Sequence, residues 1–346
     1  MMVLYAWLGM AWAGEIRPVG AGDTVERIAS SLGDASLASV IRALNDLDVG
    51  EQPEIGRLLE LPPPAGTRQV DQRAILVSVV GDVVVTPPGG PAAPAQLHVP
   101  LPPDTVVCTQ DRSFATIQLA SACAGEGQVQ DEITLAESTC VELRSMVASD
   151  RGRASLVRVL QGSVIVADPP ADQAKSSIAV QVADGIAMGV GGFRAHLEAV
   201  ASGDTLRTEA LYNSVSLLGE GEARELAPGE GARVLPEGKL GDTVALLGMG
   251  PLLRPEVGEA LRRPVFTWSP QPDAFGFQFT IVGNARATRV LYQEPVTDAV
   301  HRPGLLFLPV VGIDGLWWLV APLDEFGFLG LPSPARPFVA PEGVQR

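Results

Sequence analysis

Histidine and cysteine, the side chains that most often carry catalysis or bind metal, are few in this chain. The three histidines, His98, His196 and His301, stand apart from one another and from any nucleophile in the sequence. Ser-His-Asp and Cys-His catalysis both need a base held against the nucleophile, and the chain contains no G-x-S-x-G stretch. We therefore predict no catalytic residue and no enzymatic activity, with His196 on the polar face of a strand, where it alternates with Arg194.

Acidic residues and glycines could otherwise bind cations or phosphates, but neither has the required spacing. The carboxylates at positions 204, 209, 220, 222, 225 and 230 do not follow the pattern of a calcium-binding loop, so we expect them on a solvent-exposed face. The glycines from 189 to 192 lack the Lys-Ser/Thr pair that ends a phosphate-binding loop. The sequence therefore predicts no metal and no cofactor.

The cysteines Cys108, Cys123 and Cys140 lie within one segment that is rich in predicted strands. Three cysteines in an exported protein favour one disulfide and one remaining thiol. Cys123 and Cys140 flank an acidic, glycine-rich turn and could face each other across a hairpin, while Cys108 and Cys140 form the other pairing that fits. Three buried, reduced thiols are the remaining alternative. No histidine lies close to them in sequence, so they do not predict a zinc site.

Residues 16–64 contain the signals of a small unit with two helices between two short strands. Asp23-Thr24 precedes an apolar run and predicts a helix start, and Glu26, three residues after Asp23, completes a capping-box pattern. The first helix carries apolar residues at the i, i+3, i+4, i+7 spacing of one face, namely Val25, Ile28, Ala29 and Leu32. A second helix could begin at Ser36 and carry Leu37, Val40, Ile41 and Leu44.

This order resembles the lysin motif (LysM), a βααβ module that binds glycans containing N-acetylglucosamine, such as peptidoglycan. The resemblance rests on Gly22-Asp-Thr-Val25, on Asn45 and on the closing Ile55-Gly-Arg-Leu-Leu-Glu-Leu-Pro62. It implies a glycan-binding site formed by Gly22, Asp23, Thr24, Val25, Asn45 and Ile55. Backbone amides there would bind acetamido groups, and the side chains of Val25 and Ile55 would pack against sugar rings. The alternative is an ordinary capping unit in which Gly-Asp-Thr only starts a helix.

Composition points to a mainly β protein of several domains. The 346 residues are enough for two or three domains at roughly 100–200 residues each, and 37 glycines and 29 prolines favour short strands joined by turns. Forty acidic and 25 basic residues give a net charge of −15, which disfavours binding to nucleic acid or to anionic lipid. We predict that neither is a partner.

Residues 1–13 form an apolar run that ends in Ala11-Trp-Ala13. This pattern is typical of a secretory signal peptide with its cleavage site, although no basic residue precedes it, so the signal is either truncated or atypical. The run is shorter than the ~20 residues of a membrane-spanning helix, and no later stretch reaches that length without a charge, proline or turn. We therefore predict export to the periplasm or envelope of a bacterium, with no transmembrane span.

Residues 65–250 alternate in polarity, with turn residues every eight to twelve positions, which predicts an all-β domain without strong helices. The order resembles the FecR domain of bacterial envelope proteins. The resemblance rests on Gly81-Asp-Val83, Asp104-Thr-Val-Val-Cys-Thr109, Ser113-Phe-Ala115, Leu160-Gln-Gly162 and Leu226-Ala-Pro-Gly-Glu230. The family's central Val-Arg-Gly-Thr segment falls at Val190-Gly-Gly-Phe193, where Gly191 replaces the arginine.

Residues 258–340 look like a fibronectin type III or related immunoglobulin-like β-sandwich. They carry an early tryptophan, Trp268, and a late aromatic strand with Trp317 and Trp318. We expect these rings mainly in a core. Because adjacent strand residues point to opposite faces, one of Trp317 and Trp318 should be more exposed and is a candidate contact with a ligand.

Together these resemblances imply a non-catalytic envelope protein. It would bind peptidoglycan through residues 14–64 and present the β domains as a scaffold or as a surface for an envelope protein partner. A periplasmic signalling or sensor protein of the FecR type is the alternative hypothesis, and a carbohydrate-active enzyme is a further one.

Overall fold

The structure is a computed structural model. It describes residues 16–20, 22–32, 35, 37–45, 47–48, 50–54, 56–62, 69–70, 72–121, 131–149, 152–167, 175–182, 185–190, 194–199, 206–219, 222–259, 265–303 and 315–339. The predicted signal peptide at residues 1–13, together with Cys123 and Ile55, lies outside these ranges. Strands in several sheets dominate, which confirms the prediction of a mainly β protein.

The N-terminal module has two short helices between two strands. Its elements are β1 (Ile16–Pro18), α1 (Val25–Ser31), α2 (Leu37–Leu44) and β2 (Leu58–Glu60). β1 and β2 pair in antiparallel fashion, with Arg17 opposite Leu59. Buried apolar residues of both helices and of β2 form a common core, which includes Val25, Ile28, Ala29, Ile41, Leu59 and Leu61. The apolar spacing of α1 in the sequence is therefore the face that packs inward.

The central unit consists of β-strands and one turn of 3₁₀-helix at Pro236–Gly238. Its strands are β3 (Gln69–Val70), β4 (Gln72–Val80), β5 (Val83–Thr86), β6 (Ala93–Pro94), β7 (Pro100–Leu101), β8 (Thr105–Thr109), β9 (Phe114–Ser121), β10 (Asp131–Leu135), β11 (Cys140–Ser149), β12 (Gly152–Ala167), β13 (Lys175–Val182), β14 (Gly185–Val190), β15 (Arg194–Ala199), β16 (Leu206–Tyr212), β17 (Val215–Gly219), β18 (Glu222–Leu226), β19 (Glu230–Val234) and β20 (Val244–Ala245).

These strands form two sheets that share one long strand. Sheet I has the order β6-β5-β8-β11-β12-β13-β14-β17-β18, with β3 also pairing with the end of β11. Sheet II has the order β7-β4-β9-β10-β12-β15-β16-β19-β20. Among the described strands only β12 and β13 pair in parallel. The inner faces of the two sheets enclose the largest apolar core, which includes Val107, Ile117, Leu135, Val141 and Val164.

β12 passes from sheet I to sheet II at Gly162. Up to Gln161 the strand pairs with β11, and from Gly162 onward it pairs with β15. Gly162 has a φ of +79°, and a Cβ at this position would lie 2.7 Å from the Cα of Thr139. Only glycine adopts this φ without strain and has no Cβ to clash with Thr139. Gly162 therefore allows β12 to belong to both sheets.

The N-terminal module packs on the outer face of sheet I. Leu58 of β2 lies against a small apolar cluster on β12, β13, β14 and β17, formed by Ala154, Leu156, Ala179, Ile186, Met188 and Leu218. The module is therefore held against the central unit by apolar contact.

The C-terminal unit has two sheets around an aromatic core. Its strands are β21 (Leu252–Arg254), β22 (Phe266–Trp268), β23 (Gly276–Val282), β24 (Val290–Val296), β25 (Val300–His301), β26 (Leu316–Leu323) and β27 (Arg336–Phe338), in the orders β21-β22-β25 and β24-β23-β26-β27. The first strand, β21, precedes the boundary at 258 that we expected. Trp268 and Trp318 are fully buried and Trp317 is half-buried, which confirms the expected difference between the two adjacent tryptophans.

The C-terminal unit covers the outer face of sheet II with polar contacts. The hydroxyls of Thr116 and Thr134 both donate to the carbonyl of Thr288. Glu209 is fully buried, with one carboxylate oxygen 2.9 Å from His196 Nδ1 and the other accepting from the N–H of Leu329. Polar residues that alternate along these strands are therefore buried and hydrogen-bonded.

The expectation that all six acidic residues of this region face solvent is wrong for Glu209. Its strand does alternate in polarity, but the C-terminal unit covers the outer face. His196 lies on the polar face of its strand, as predicted, because its neighbours Ala195 and Leu197 belong to the apolar core, and the C-terminal unit buries that face. Glu222 and Glu225 are exposed and Glu230 is half-buried, and positions 204 and 220 lie outside the described residues.

Phe328 anchors the same interface. Its ring is 4% exposed, and the guanidinium carbons of Arg207 and Arg233 lie 5.9 Å and 5.1 Å from its centroid. Both arginines also donate to the carbonyl of Phe326. The two arginines belong to β16 and β19, so this loop of the C-terminal unit is held by sheet II through cation–π contacts and hydrogen bonds.

The structure joins Cys108 to Cys140 by a disulfide. The two residues face each other in the register of β8 and β11. The alternative pairing of Cys123 with Cys140 is therefore wrong, as is the alternative of three reduced thiols. The cysteine that bonds to Cys140 is determined by which strand places a cysteine opposite it, and that strand is β8.

Replacing Cys108 and Cys140 together by serine should lower the free energy of unfolding by about 3–4 kcal/mol, because the bond closes a loop with a sequence separation of 32. Denaturant unfolding of the oxidised protein measures this loss. Cys123→Ser is the matched control and should leave the Cys108–Cys140 bond and the midpoint unchanged. An equal loss in Cys123→Ser would contradict the pairing.

Phe328→Ala should destabilise the interface by about 3–5 kcal/mol, since it removes a buried ring and both cation–π contacts. Phe326→Ala is the matched control on the same loop, because that ring is 58% exposed and the substitution keeps the carbonyl that accepts from both arginines. Its effect should stay within about 0.5 kcal/mol. Thermal unfolding of both variants tests this, and similar losses would show that the ring of Phe328 is not the anchor.

Candidate functional site

The turn between β1 and α1 is closed by its own side chains. Asp23 Oδ2 accepts from the N–H of Gly20 at 3.0 Å and pairs with Arg17 Nη2 at 3.0 Å. Thr24 is the N-cap of α1, with its hydroxyl oxygen accepting from the N–H of Arg27 at 3.1 Å. Gly22 is exposed and has a φ of +81°. These contacts give the turn a defined shape at the surface of the module.

The predicted capping box does not form, although the predicted helix start is in place. We expected Asp23 to pair with Glu26, but Thr24 is the N-cap. Asp23 is engaged with Gly20 and Arg17 instead. Glu26 is left on the outer surface, where it can meet residues from the rest of the module.

The β1–α1 turn meets the loop between α2 and β2 at one edge of the module. The N–H of Val25 donates to Oε1 of Gln52 at 3.2 Å, across 27 residues of sequence. Nε2 of Gln52 lies 3.3 Å from Oε2 of Glu26, and Arg42 of α2 donates to the other oxygen of Glu26. Gln52, Glu26 and Arg42 therefore form a polar edge that joins three parts of the module.

Glu26 remains ionised over the whole physiological range. The hydrogen bond from Arg42 is the largest of the interactions that lower its pKa from 4.5 to about 2, and the bond from Gln52 adds to it. The edge therefore carries an exposed carboxylate beside a guanidinium. A carboxylate can only accept hydrogen bonds. The groups that bind to Glu26 must therefore be hydrogen-bond donors.

Two of the predicted site residues point into the module. The side chain of Val25 is fully buried in the core, so it cannot pack against a sugar ring and only its N–H reaches the edge. Asn45 donates to the carbonyls of Ile41 and Glu60 and accepts from the N–H of Glu60. Its amide thus joins the end of α2 to β2, a structural role.

The remaining predicted site residues lie in or near the β1–α1 turn. Gly22, Asp23 and Thr24 are part of that turn, whereas Ile55 lies outside the described residues. Gln52 and Arg42 are not among the site residues predicted from the sequence. Neither has a local pattern that marks it, since each acquires its partner only when the two loops and α2 come together.

Two of the other polar clusters in the described part of the chain contain a histidine. His196 and Glu209 belong to the interface on sheet II and are closed off from solvent. In the C-terminal unit, Glu294 lies against the hydroxyl of Tyr292 and 3.3 Å from His301 Nε2. Burial is the main cause that raises the pKa of Tyr292 and lowers that of His301. Both groups are therefore neutral near pH 7.

No metal-binding group and no membrane-spanning helix are found in the ranges that the structure describes. No three His, Cys, Asp or Glu side chains come together there as they would around a metal ion. Neither helix has the length and apolar character needed to cross a bilayer.

Comparison with known proteins shows no family. No family model matches the chain, and no curated protein matches it. Two crystal structures of a "putative anti-sigma factor" from Parabacteroides distasonis ATCC 8503 match 40% of this chain at 12% identity, with TM-scores of 0.31 and 0.30. The match spans 59% of that protein's length. A similarity of this size does not support a conclusion about function.

Arg42→Gln should raise the pKa of Glu26 from about 2 toward 4.5, because the main interaction that favours its ionised form is lost. NMR titration of the Glu26 carboxyl carbon measures this. A lowered pKa in the folded state adds stability above pH 4.5 that is lost as the pH falls toward 2. Arg57→Gln, in the same module, is the control and should leave the titration unchanged. A Glu26 that titrates near pH 4.5 in the unsubstituted protein would contradict the polar edge.

Proposed function

We propose that this chain is a non-catalytic cell-envelope protein that binds peptidoglycan or a related N-acetylglucosamine glycan through its N-terminal module. One observation carries the proposal: the hydrogen bond between Val25 and Gln52 brings the β1–α1 turn and the α2–β2 loop together at a single edge. The resemblance to LysM implies a glycan site at the place where these two loops meet. The βααβ order and the pairing of β1 with β2 support the same proposal.

The chemistry of the edge suits a neutral, polar sugar with an acetamido group. Such a group offers one carbonyl acceptor and one N–H donor. The edge offers the N–H of Val25 as a donor and the Glu26 carboxylate as an acceptor. With no aromatic residue between positions 16 and 64, binding would depend on hydrogen bonds rather than on ring stacking, and a single module would bind weakly.

Export to an oxidising compartment is part of this proposal. The Cys108–Cys140 disulfide supports it, because disulfides form and persist in the periplasm and outside the cell and are rare in the cytosol. In the periplasm, the module would place the attached β units next to the wall. The outer face of sheet II would not be available to an envelope protein partner, because the C-terminal unit covers it.

Sedimentation of the full chain with insoluble peptidoglycan tests the proposal. We expect the protein to pellet with peptidoglycan and chitin, but not with cellulose, which lacks acetamido groups. The double substitution Asp23→Ala, Thr24→Ala should reduce the pelleted fraction several-fold, because it removes the hydrogen bonds that shape the β1–α1 turn.

The matched control is Asp104→Ala, Arg144→Ala, which removes an exposed ion pair of the central unit. It should pellet like the unsubstituted protein. Failure of the unsubstituted chain to pellet with either acetylated glycan would refute the proposal. Release of soluble sugar during the incubation would instead favour a carbohydrate-active enzyme.

A further inference from the structure

The side chain of Gln52 is placed between a donor and an acceptor at the edge of the N-terminal module. Its carbonyl oxygen accepts from the N–H of Val25 at 3.2 Å, and its amide nitrogen lies 3.3 Å from Oε2 of Glu26. Gln52 is exposed and belongs to the α2–β2 loop, whereas Val25 and Glu26 belong to α1. The carboxamide is thus bound by a different part of the module, as a ligand would be.

The charge of Glu26 determines the orientation of this carboxamide. An ionised carboxylate only accepts hydrogen bonds, so the NH₂ of Gln52 must face Glu26 and its carbonyl must face Val25. Arg42 keeps Glu26 ionised and in place. The module therefore holds one backbone donor and one carboxylate acceptor at the two ends of a bound amide.

An acetamido group presents the same two polar functions as the end of a glutamine side chain. Both have a carbonyl that accepts and an N–H that donates, on a small planar unit. We propose that Gln52 occupies the acetamido position of the glycan site and must be displaced by the acetamido group of an incoming sugar. This inference rests on the proposed function, and it identifies the acetyl group as the feature that is recognised.

The occupied site favours acetylated sugars. Displacing Gln52 breaks two hydrogen bonds, and a sugar with an acetamido group restores both, with Val25 and with Glu26. A hydroxyl group or an amine can bond to Val25 or to Glu26 singly, but it does not carry an acceptor and a donor at the separation of a carboxamide, which these two partners require. Deacetylated glycans are therefore poor competitors of the protein's own side chain, while acetylated glycans bind with an affinity that Gln52 reduces.

The test measures binding of N-acetylglucosamine tetramer and glucosamine tetramer to the full chain by calorimetry. Gln52→Ala should bind the acetylated tetramer about three- to tenfold more tightly than the unsubstituted protein, because the internal competitor is gone and one hydrogen bond has a value of this order. Adding Glu26→Ala to Gln52→Ala should lower the affinity for the acetylated tetramer again by a similar factor, because the acceptor for the acetamido N–H is lost. The glucosamine tetramer should bind weakly to all variants.

Glu54→Gln is the matched control, because Glu54 is exposed on the same loop and should have no effect. Thermal unfolding verifies that each variant is folded. If the unsubstituted protein binds and Gln52→Ala binds equally or less tightly, this inference is overturned while the proposed function stands. If neither binds the acetylated tetramer, both are overturned. Binding by Gln52→Ala alone would support both.

Discussion

The architecture depends on one strand that belongs to two sheets. β12 completes sheet I with its first part and sheet II with its second, and Gly162 makes the transition possible. Because the two sheets share this strand, their inner faces are held opposite each other and enclose a single apolar core. Both outer faces then become surfaces on which other units can pack, the N-terminal module on sheet I and the C-terminal unit on sheet II.

The contact between sheet II and the C-terminal unit shows how buried polar groups are accommodated. A hydroxyl or carboxylate that leaves water without a partner destabilises the fold, more so when it is charged. Here Thr116 and Thr134 share the carbonyl of Thr288, and Glu209 is bonded by His196 and by the N–H of Leu329. Thr288 and Leu329 lie far away in sequence from the strands they contact, so they also specify which loop of the C-terminal unit docks on which strand.

The N-terminal module uses the same kind of long-range polar contact at its surface. Val25 contributes its side chain to the core and its N–H to the edge, so the packing of α1 directly positions the donor of the proposed site. Glu26 and Arg42 then orient Gln52 from two different helices. Attachment of the module to sheet I through Leu58 leaves this edge exposed, which connects the fold to the proposed binding of glycans at the cell wall.

The sequence by itself determined the mainly β character and both helices of the described part, because alternation, apolar spacing and turn residues act over a few neighbouring positions. It also indicated that one of Trp317 and Trp318 would be buried. Only the tertiary structure decided that Cys108 pairs with Cys140, that Glu209 is buried and that Gln52 belongs to the candidate site. Each of these depends on a partner more than 20 residues away, and a local pattern carries no information about which distant strand or loop will lie beside it.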